Sequence, residues 1–69
     1  MGNARQARGT IVELALDVVT VAVDFGVVRR RVRARRGGEV ADVRLAVGDE
    51  VVVSVSNLDL RSGVILRVV

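Results

Sequence analysis

The sequence of 69 residues contains no cysteine, histidine, proline, tryptophan, tyrosine or lysine, and Phe25 is its one aromatic residue. Without cysteine no disulfide can staple the chain, and without cysteine and histidine the usual ligands of zinc and copper are missing. A chain of this length forms one domain with one modest core. We therefore expect a single domain that depends on its apolar core and holds no metal.

The side chains that usually activate a nucleophile, histidine and lysine, are also missing. The serines and threonines therefore have no ordinary base to deprotonate them. Asp49 and Glu50 are adjacent, so on a strand they would face opposite ways, and turn acids usually serve as local hydrogen-bond acceptors. Gly37-Gly38 is only a pair, with neither the spacing nor the lysine of a phosphate-binding loop. We expect a protein that is not an enzyme and uses no cofactor.

Long apolar runs are absent as well. The longest are a few residues, far short of the ~20 that a membrane-spanning helix needs. Residues 1–8 lack the apolar stretch of a signal peptide. These patterns favour a soluble cytoplasmic protein with no membrane partner.

What the chain has in abundance is valine, with eighteen against six leucines and two isoleucines. Valine is branched at Cβ and fits the pleated surface of a strand better than the crowded face of a helix. Valines also alternate with other residues in two stretches, 18–24 and 50–56, as they do in half-buried strands. The composition and the period both predict an all-β fold.

Turn signals divide the chain into short segments. Residues 1–8 are unpatterned and predict a flexible N-terminal tail, and residues 9–69 form the predicted barrel domain. Turns are expected at residues 24–26 and 47–49, with at most one short helical turn between strands 3 and 4. Five short strands with a longer connection after the third are typical of a small OB-type barrel, and an SH3-like barrel is the main alternative.

Positive charge is concentrated in one stretch. Residues 29–36 hold six arginines and no acid, while the rest of the chain has five arginines and eight acids, a net charge of −3. This polarity predicts an anionic partner, and the guanidinium fork pairs well with phosphate. The alternative is that the arginines only protect an exposed strand edge from aggregation.

On the third strand the odd-numbered arginines from 29 to 35 share one face, and Val28, Val32 and Ala34 share the other. Arg30 falls on the apolar face, so it must lie at a barrel end or at a bulge, because burying an unpaired guanidinium is too costly. Phe25 is expected to pack in the core or cover a turn rather than stack on a base.

Three motifs occur in order between residues 9 and 68. Residues 9–13 read G-T-I-V-E, residues 44–53 read R-L-A-V-G-D-E-V-V-V, and residues 59–65 read D-L-R-S-G-V-I. They resemble the G-T-V-x-E, R-x-x-x-G-D-x-V-x-V and D-L-x-x-G-x-I motifs of the family of bacterial translation initiation factor one. Ribosome-associated GTPases carry OB domains that share the V-G-D element.

The resemblance implies a five-stranded OB barrel that binds RNA of the small ribosomal subunit through basic residues. Residues 38–43 read G-E-V-A-D-V where that family is basic, so Arg44 is the one match to a basic position there. We expect RNA or another single-stranded nucleic acid, ribosomal RNA included, as the partner. The predicted phosphate contacts are Arg29, Arg31, Arg33, Arg35, Arg36 and Arg44.

Two further hypotheses belong to other classes. Eleven arginines without a lysine, and six absent residue types, depart from ordinary usage and favour a designed, reconstructed or reduced-alphabet barrel with no selected biochemical function. Separately, the last strand is apolar on both faces, and Val52, Ile65 and Val69 are expected on outward faces, which predicts a weak homodimer.

Overall fold

The computed structural model describes residues 4–56 and 58–69. In chain order its strands are β1 (Ala4–Leu14), β2 (Val19–Phe25), β3 (Val28–Arg36), β4 (Glu50–Ser56) and β5 (Ser62–Val68). One 3-10 turn, Gly38–Val40, lies between β3 and β4. The strands close into a barrel in the order β1-β2-β3-β5-β4. The predicted all-β, five-stranded OB-type barrel with one short helical turn is confirmed.

Alternating valines fill the barrel. In β2 and β4 the alternate residues beginning at Val19 and Val51 are buried, as the period of two predicted. Ile11 from β1, Val32 from β3 and Ile65 from β5 complete the centre and are fully buried. The core is made of small branched side chains and is close-packed. Where two strands cross closely, it therefore has no space for a further side chain.

Gly9 lies where β1 passes from one neighbour to the other. β1 pairs with β4 from Ala4 to Thr10 and with β2 from Gly9 onward, so the strand bends over the core at this residue. A Cβ at Gly9 would lie 2.5 Å from Cγ1 of Val21 and 2.7 Å from the carbonyl oxygen of Ala22. The glycine of the G-T element is therefore required by close packing.

Two β-bulges bend the barrel wall. Val12 is the extra residue of β1 opposite β2, and Leu66 is the extra residue of β5 opposite β4. Because of the second bulge, Arg67 pairs with Val52 on the outer face. Ile65 is fully buried and Val52 is 5% exposed, so these two residues are not on the free surface where the sequence placed them. Val69 is 57% exposed, as predicted, and Val64 is 39% exposed, so apolar side chains remain exposed at this end of the chain and the weak homodimer stays a prediction.

The N-terminal segment differs from the predicted flexible tail. β1 begins at Ala4, and residues 4–8 pair antiparallel with Val52–Ser56 of β4. Their side chains are exposed except that of Ala7, which packs partly against the core, so backbone hydrogen bonds to β4 hold most of this segment. Residues 1–3 of the predicted tail lie outside the described residues.

The turn after β2 also lies slightly later than the sequence predicts. Phe25 pairs with Val28, so Gly26 and Val27 form a two-residue loop. Gly26 has a φ of 81° and Val27 has no positive φ, which is the pattern of a type II′ turn. The predicted turn at residues 47–49 is confirmed, with a φ of 100° at Gly48.

Candidate nucleic-acid interface

The outer face of β3 carries a row of exposed arginines, called here the arginine row: Arg29, Arg31, Arg33 and Arg35. Val32 and Ala34 point into the core and are fully buried, so the pleat of the strand fixes the arginines on the opposite side. Alternate residues on a strand are about 6.6 Å apart, which makes the row about 20 Å long. The shared face predicted for these four residues is present in the structure.

β2 supplies the strip beside this row. The register places one acid, Asp24, next to Arg29, and the smaller Ala22 and Thr20 next to the following two arginines. Small neighbours leave long arginine side chains accessible from solvent. The outer surface of the second and third strands is the face on which OB folds bind oligonucleotides.

The C-terminal half of the row opens into a groove of about 660 Å³. Arg33 and Arg35 line it from β3, and Val18 lines it just before β2. Three serines line it from β4 and β5: Ser54, Ser56 and Ser62. We call this the serine–arginine groove. Guanidinium and hydroxyl groups both donate hydrogen bonds to phosphate, so the groove suits a phosphodiester backbone.

Sequence reasoning missed the three serines. Ser54 and Ser56 alternate with the buried Val53 and Val55, so their outward direction could be read from the sequence. Their position beside the arginine row depends on topology, because β5 lies between β3 and β4 and pairs parallel with β3. No local sequence pattern predicts the parallel pairing of β3 with β5.

The connection from β4 to β5 is fixed at the edge of this groove. The backbone N–H of Arg33 donates to the carbonyl of Arg61 at 2.8 Å. The Asp59 carboxylate accepts from the backbone N–H and Nε of Arg61, at 3.0 and 3.2 Å, and from Oγ of Ser62 at 3.4 Å. The hydrogen bonds from Arg61 hold the pKa of Asp59 below its ordinary value.

Arg30 lies at the end of the barrel. It pairs with Val23, and the β2–β3 register runs without a shift, which excludes a bulge at this point. Its side chain is exposed although its position in the strand is that of an inward residue. Of the two positions that the sequence left open, the structure therefore selects the barrel end.

Arg36 is placed differently from the rest of the predicted set. Its Nη1 donates to the carbonyls of Val40, at 3.3 Å, and Val43. The same connection is also held to the barrel by Val40, which is buried at 2% exposure, and by the backbone N–H of Gly37, which donates to the carbonyl of Ile65 at 2.9 Å. Arg36 thus clamps the connection between β3 and β4 to the barrel, a role that the sequence did not indicate.

Arg44 follows directly after the clamped segment. It is exposed and lies between the 3-10 turn and β4. Since Arg36 holds Val43, the backbone that carries Arg44 is anchored near the C-terminal end of β3. The structure therefore brings five of the six predicted arginines to β3 and tethers the backbone of the sixth to its end.

Phe25 packs partly against the core, in agreement with the structural role expected for it. The guanidinium carbon of Arg5 lies 5.3 Å from the centre of its ring, a cation–π contact. One face of the ring is thus occupied by Arg5.

An ion pair joins Arg8 of β1 to Glu50 of β4 at 3.7 Å, between side chains that are both at least half exposed.

Within residues 4–56 and 58–69, no three acidic, cysteine or histidine side chains lie close enough together to hold a metal ion. No helix in this part of the chain is long and apolar enough to span a bilayer.

The barrel is similar to two solved proteins of much greater length. YjeQ from Thermotoga maritima is 25% identical, with a TM-score of 0.73. YloQ, a circularly permuted GTPase, is 18% identical, with a TM-score of 0.75. Each match covers 94% of this chain and 23% of the other, so the chain spans less than a quarter of either protein.

A third similar structure is of comparable size. Translation initiation factor one from the Wolbachia endosymbiont strain TRS of Brugia malayi is 23% identical, with a TM-score of 0.71. The match covers 94% of this chain and 77% of the factor. The barrel has the OB fold of an initiation factor, as the three motifs predicted. No family model matches the chain, and no curated protein matches it.

Proposed function

We propose that this chain is a nucleic-acid-binding OB module that holds the phosphate backbone of single-stranded RNA. The arginine row binds successive phosphates, and the serine–arginine groove receives the strand at the C-terminal end of β3. The observation that carries the proposal is the row itself, in which four exposed arginines on one strand face have one acid, Asp24, in the adjacent strand. The module binds rather than catalyses and acts in the cytoplasm.

Binding on this surface is largely independent of base sequence. Phosphate contacts carry no direct information about bases, and OB folds usually read bases by stacking them on aromatic rings. The one aromatic residue, Phe25, packs partly against the core with Arg5 over its ring. A flexible single strand can follow a row about 20 Å long, whereas a rigid duplex presents its phosphates on a fixed curve. Similarity to an initiation factor favours RNA of the small ribosomal subunit as the natural partner.

The test is a titration of fluorescently labelled single-stranded RNA at a series of salt concentrations. For about four neutralised phosphates, the logarithm of the binding constant should fall against the logarithm of salt with a slope of roughly −3. Replacing Arg31 and Arg33 together with glutamine should flatten the slope by about 1.4. RNAs of different sequence should give similar constants.

The single variants Arg33→Gln and Arg67→Gln form a matched pair, because each removes one exposed arginine. Arg67 pairs with Val52 on the β4–β5 face and not with β3. Arg33→Gln should flatten the slope by about 0.7 and Arg67→Gln by much less. Equal effects of the two variants, or an unchanged slope in a folded Arg31→Gln, Arg33→Gln protein, would end the case for β3 as the binding surface.

The six absent residue types favour a second hypothesis, a designed or ancestral-like barrel with no selected biochemical function. In that case the arginines only keep the strand from aggregating. RNA affinity would then be weak before and after the double substitution, and the variant would aggregate more readily than the parent. The same titration, followed by light scattering, separates the two hypotheses.

A further inference from the structure

The N-terminal half of β3 has a strand on one side only. Its antiparallel ladder with β2 runs from Val28 to Ala34. Its parallel ladder with β5 begins at Arg33, which pairs with Ser62. Among the described residues, 4–56 and 58–69, no strand pairs with residues 28–32 on the β5 side. We call residues 28–32 the open edge of β3.

The direction of the backbone groups on this edge follows from one hydrogen bond. The N–H of Arg33 points toward β5, since it donates to the carbonyl of Arg61. Backbone groups of successive residues point to opposite sides of a strand, so those of Arg29 and Arg31 point to the same side as Arg33. The open edge therefore offers an alternating row of two donors and two acceptors.

That alternation favours a peptide over the phosphate backbone of a nucleic acid at this edge. Phosphate oxygens can only accept hydrogen bonds, so they would leave the carbonyls of Arg29 and Arg31 without a donor. An extended peptide supplies both an N–H and a C=O at every second residue and can continue the sheet. The edge is about 16 Å long, which is enough for a strand of four or five residues.

The charges beside the edge restrict which peptide can bind. Arg29 and Arg31 stand on the outer face, and Arg30 is exposed on the other face at the barrel end. A strand added here places its side chains alternately beside these arginines, on both faces. A second copy of the same edge would set arginine against arginine, so self-pairing is disfavoured. An acidic strand is attracted on both faces.

We propose that the open edge of β3 is a β-augmentation site for an acidic extended segment of a partner protein. The partner's backbone continues the β2–β3 sheet, and its carboxylates lie beside Arg29, Arg30 and Arg31. This site does not depend on RNA binding. Because Arg29 and Arg31 also belong to the arginine row, a bound acidic segment would compete with nucleic acid for the N-terminal half of that row.

The experiment uses an acetylated and amidated eight-residue peptide, two repeats of Asp-Asp-Thr-Thr, which carries carboxylates on both faces of a strand. It is added to the isotope-labelled full chain without nucleic acid. We expect the amide signals of Arg29 and Arg31 to shift and their hydrogen exchange to slow at least tenfold. The control is the same peptide with every amide N-methylated, which keeps the charges but cannot extend a sheet. It should bind at least tenfold more weakly.

Charge reversal provides a second, independent arm. An Arg29→Glu, Arg31→Glu protein should lose the aspartate peptide and gain affinity for a peptide with lysine in place of aspartate. Equal binding of the methylated and unmethylated peptides would show charge attraction without strand addition and would overturn the proposal. So would unchanged exchange at Arg29 and Arg31 with peptide bound. Neither result bears on RNA binding, since no RNA is present.

Discussion

The guanidinium of Arg36 donates to the carbonyl of Val43, seven residues further along the chain. This contact and the one to Val40 hold the connection between β3 and β4 against the C-terminal end of β3. The sequence presents Arg36 as the sixth member of a uniform basic cluster. In the structure it differs from its neighbours because its position in the pleat points it toward backbone carbonyls.

Replacing Arg36 with glutamine should loosen this connection. The side chain would lose two hydrogen bonds, and the protein should lose about 1 kcal/mol of unfolding free energy. Amide hydrogen exchange at residues 39–44 should become faster. The matched control is Arg35→Gln, whose side chain lines the serine–arginine groove. It should leave exchange unchanged and flatten the salt slope of RNA binding by about 0.7. Identical behaviour of the two variants would contradict the separate roles.

Acid should affect the β4–β5 connection through Asp59. Its pKa is lowered in the folded state, so the stabilisation it provides is complete above the unfolded pKa of about 4 and is lost as pH falls through the lower folded value. An NMR titration should show the amide signals of Arg61 and Ser62 changing with a midpoint below about 4. Asp59→Asn should abolish that transition. A midpoint at or above the unfolded value in the parent protein would contradict the hydrogen-bonded carboxylate.

Gly9→Ala should destabilise the barrel. The added methyl group would meet Val21 and the Ala22 carbonyl at the bend of β1, and overpacking of this kind costs about 1–3 kcal/mol. Gly38→Ala is the control, because a Cβ there meets nothing within 4 Å. Thermal unfolding should show a lower midpoint for Gly9→Ala and little change for Gly38→Ala. Equal midpoints for the two variants would mean that β1 can shift away from Val21 at no cost.

Period-two patterns predicted the barrel because they record which side chains are buried. The valines of β2 and β4 and the face of the arginine row followed from that rule alone. Features that depend on backbone pairing or on topology produce no periodic pattern in the sequence. The start of β1 at Ala4 depends on the edge of β4, and the serines reach β3 only because β5 lies between. The bulge at Leu66 shifts the alternation within the last strand, so that Ile65 faces the core while Arg67 stays outside, and the prediction of an outward Ile65 was therefore wrong.

The arginine row should make folding and RNA binding respond oppositely to salt. Neighbouring charges about 6.6 Å apart repel by about 0.6 kcal/mol in water before screening. Folding forces four arginines into this row, and two acids lie near it: Asp24 pairs with Arg29, and Glu13 of β1 lines one cavity with Arg31 and Arg33. Since salt at about 0.5 M screens charges at this spacing, the unfolding midpoint should rise between about 0.02 and 0.5 M NaCl by about 4–8 °C, the equivalent of about 1 kcal/mol.

The Arg31→Gln, Arg33→Gln protein removes the two central charges of the row. It should unfold at a higher temperature than the parent in low salt and respond less to added salt, while Arg67→Gln should respond like the parent. A midpoint that does not depend on salt, or that rises equally in the double variant, would mean that the guanidinium groups splay far enough to avoid one another. The expected result would instead show that repulsion among these arginines destabilises β3. Phosphate binding would offset that cost. Protection of the strand edge would not explain it, because one or two arginines are enough for that role.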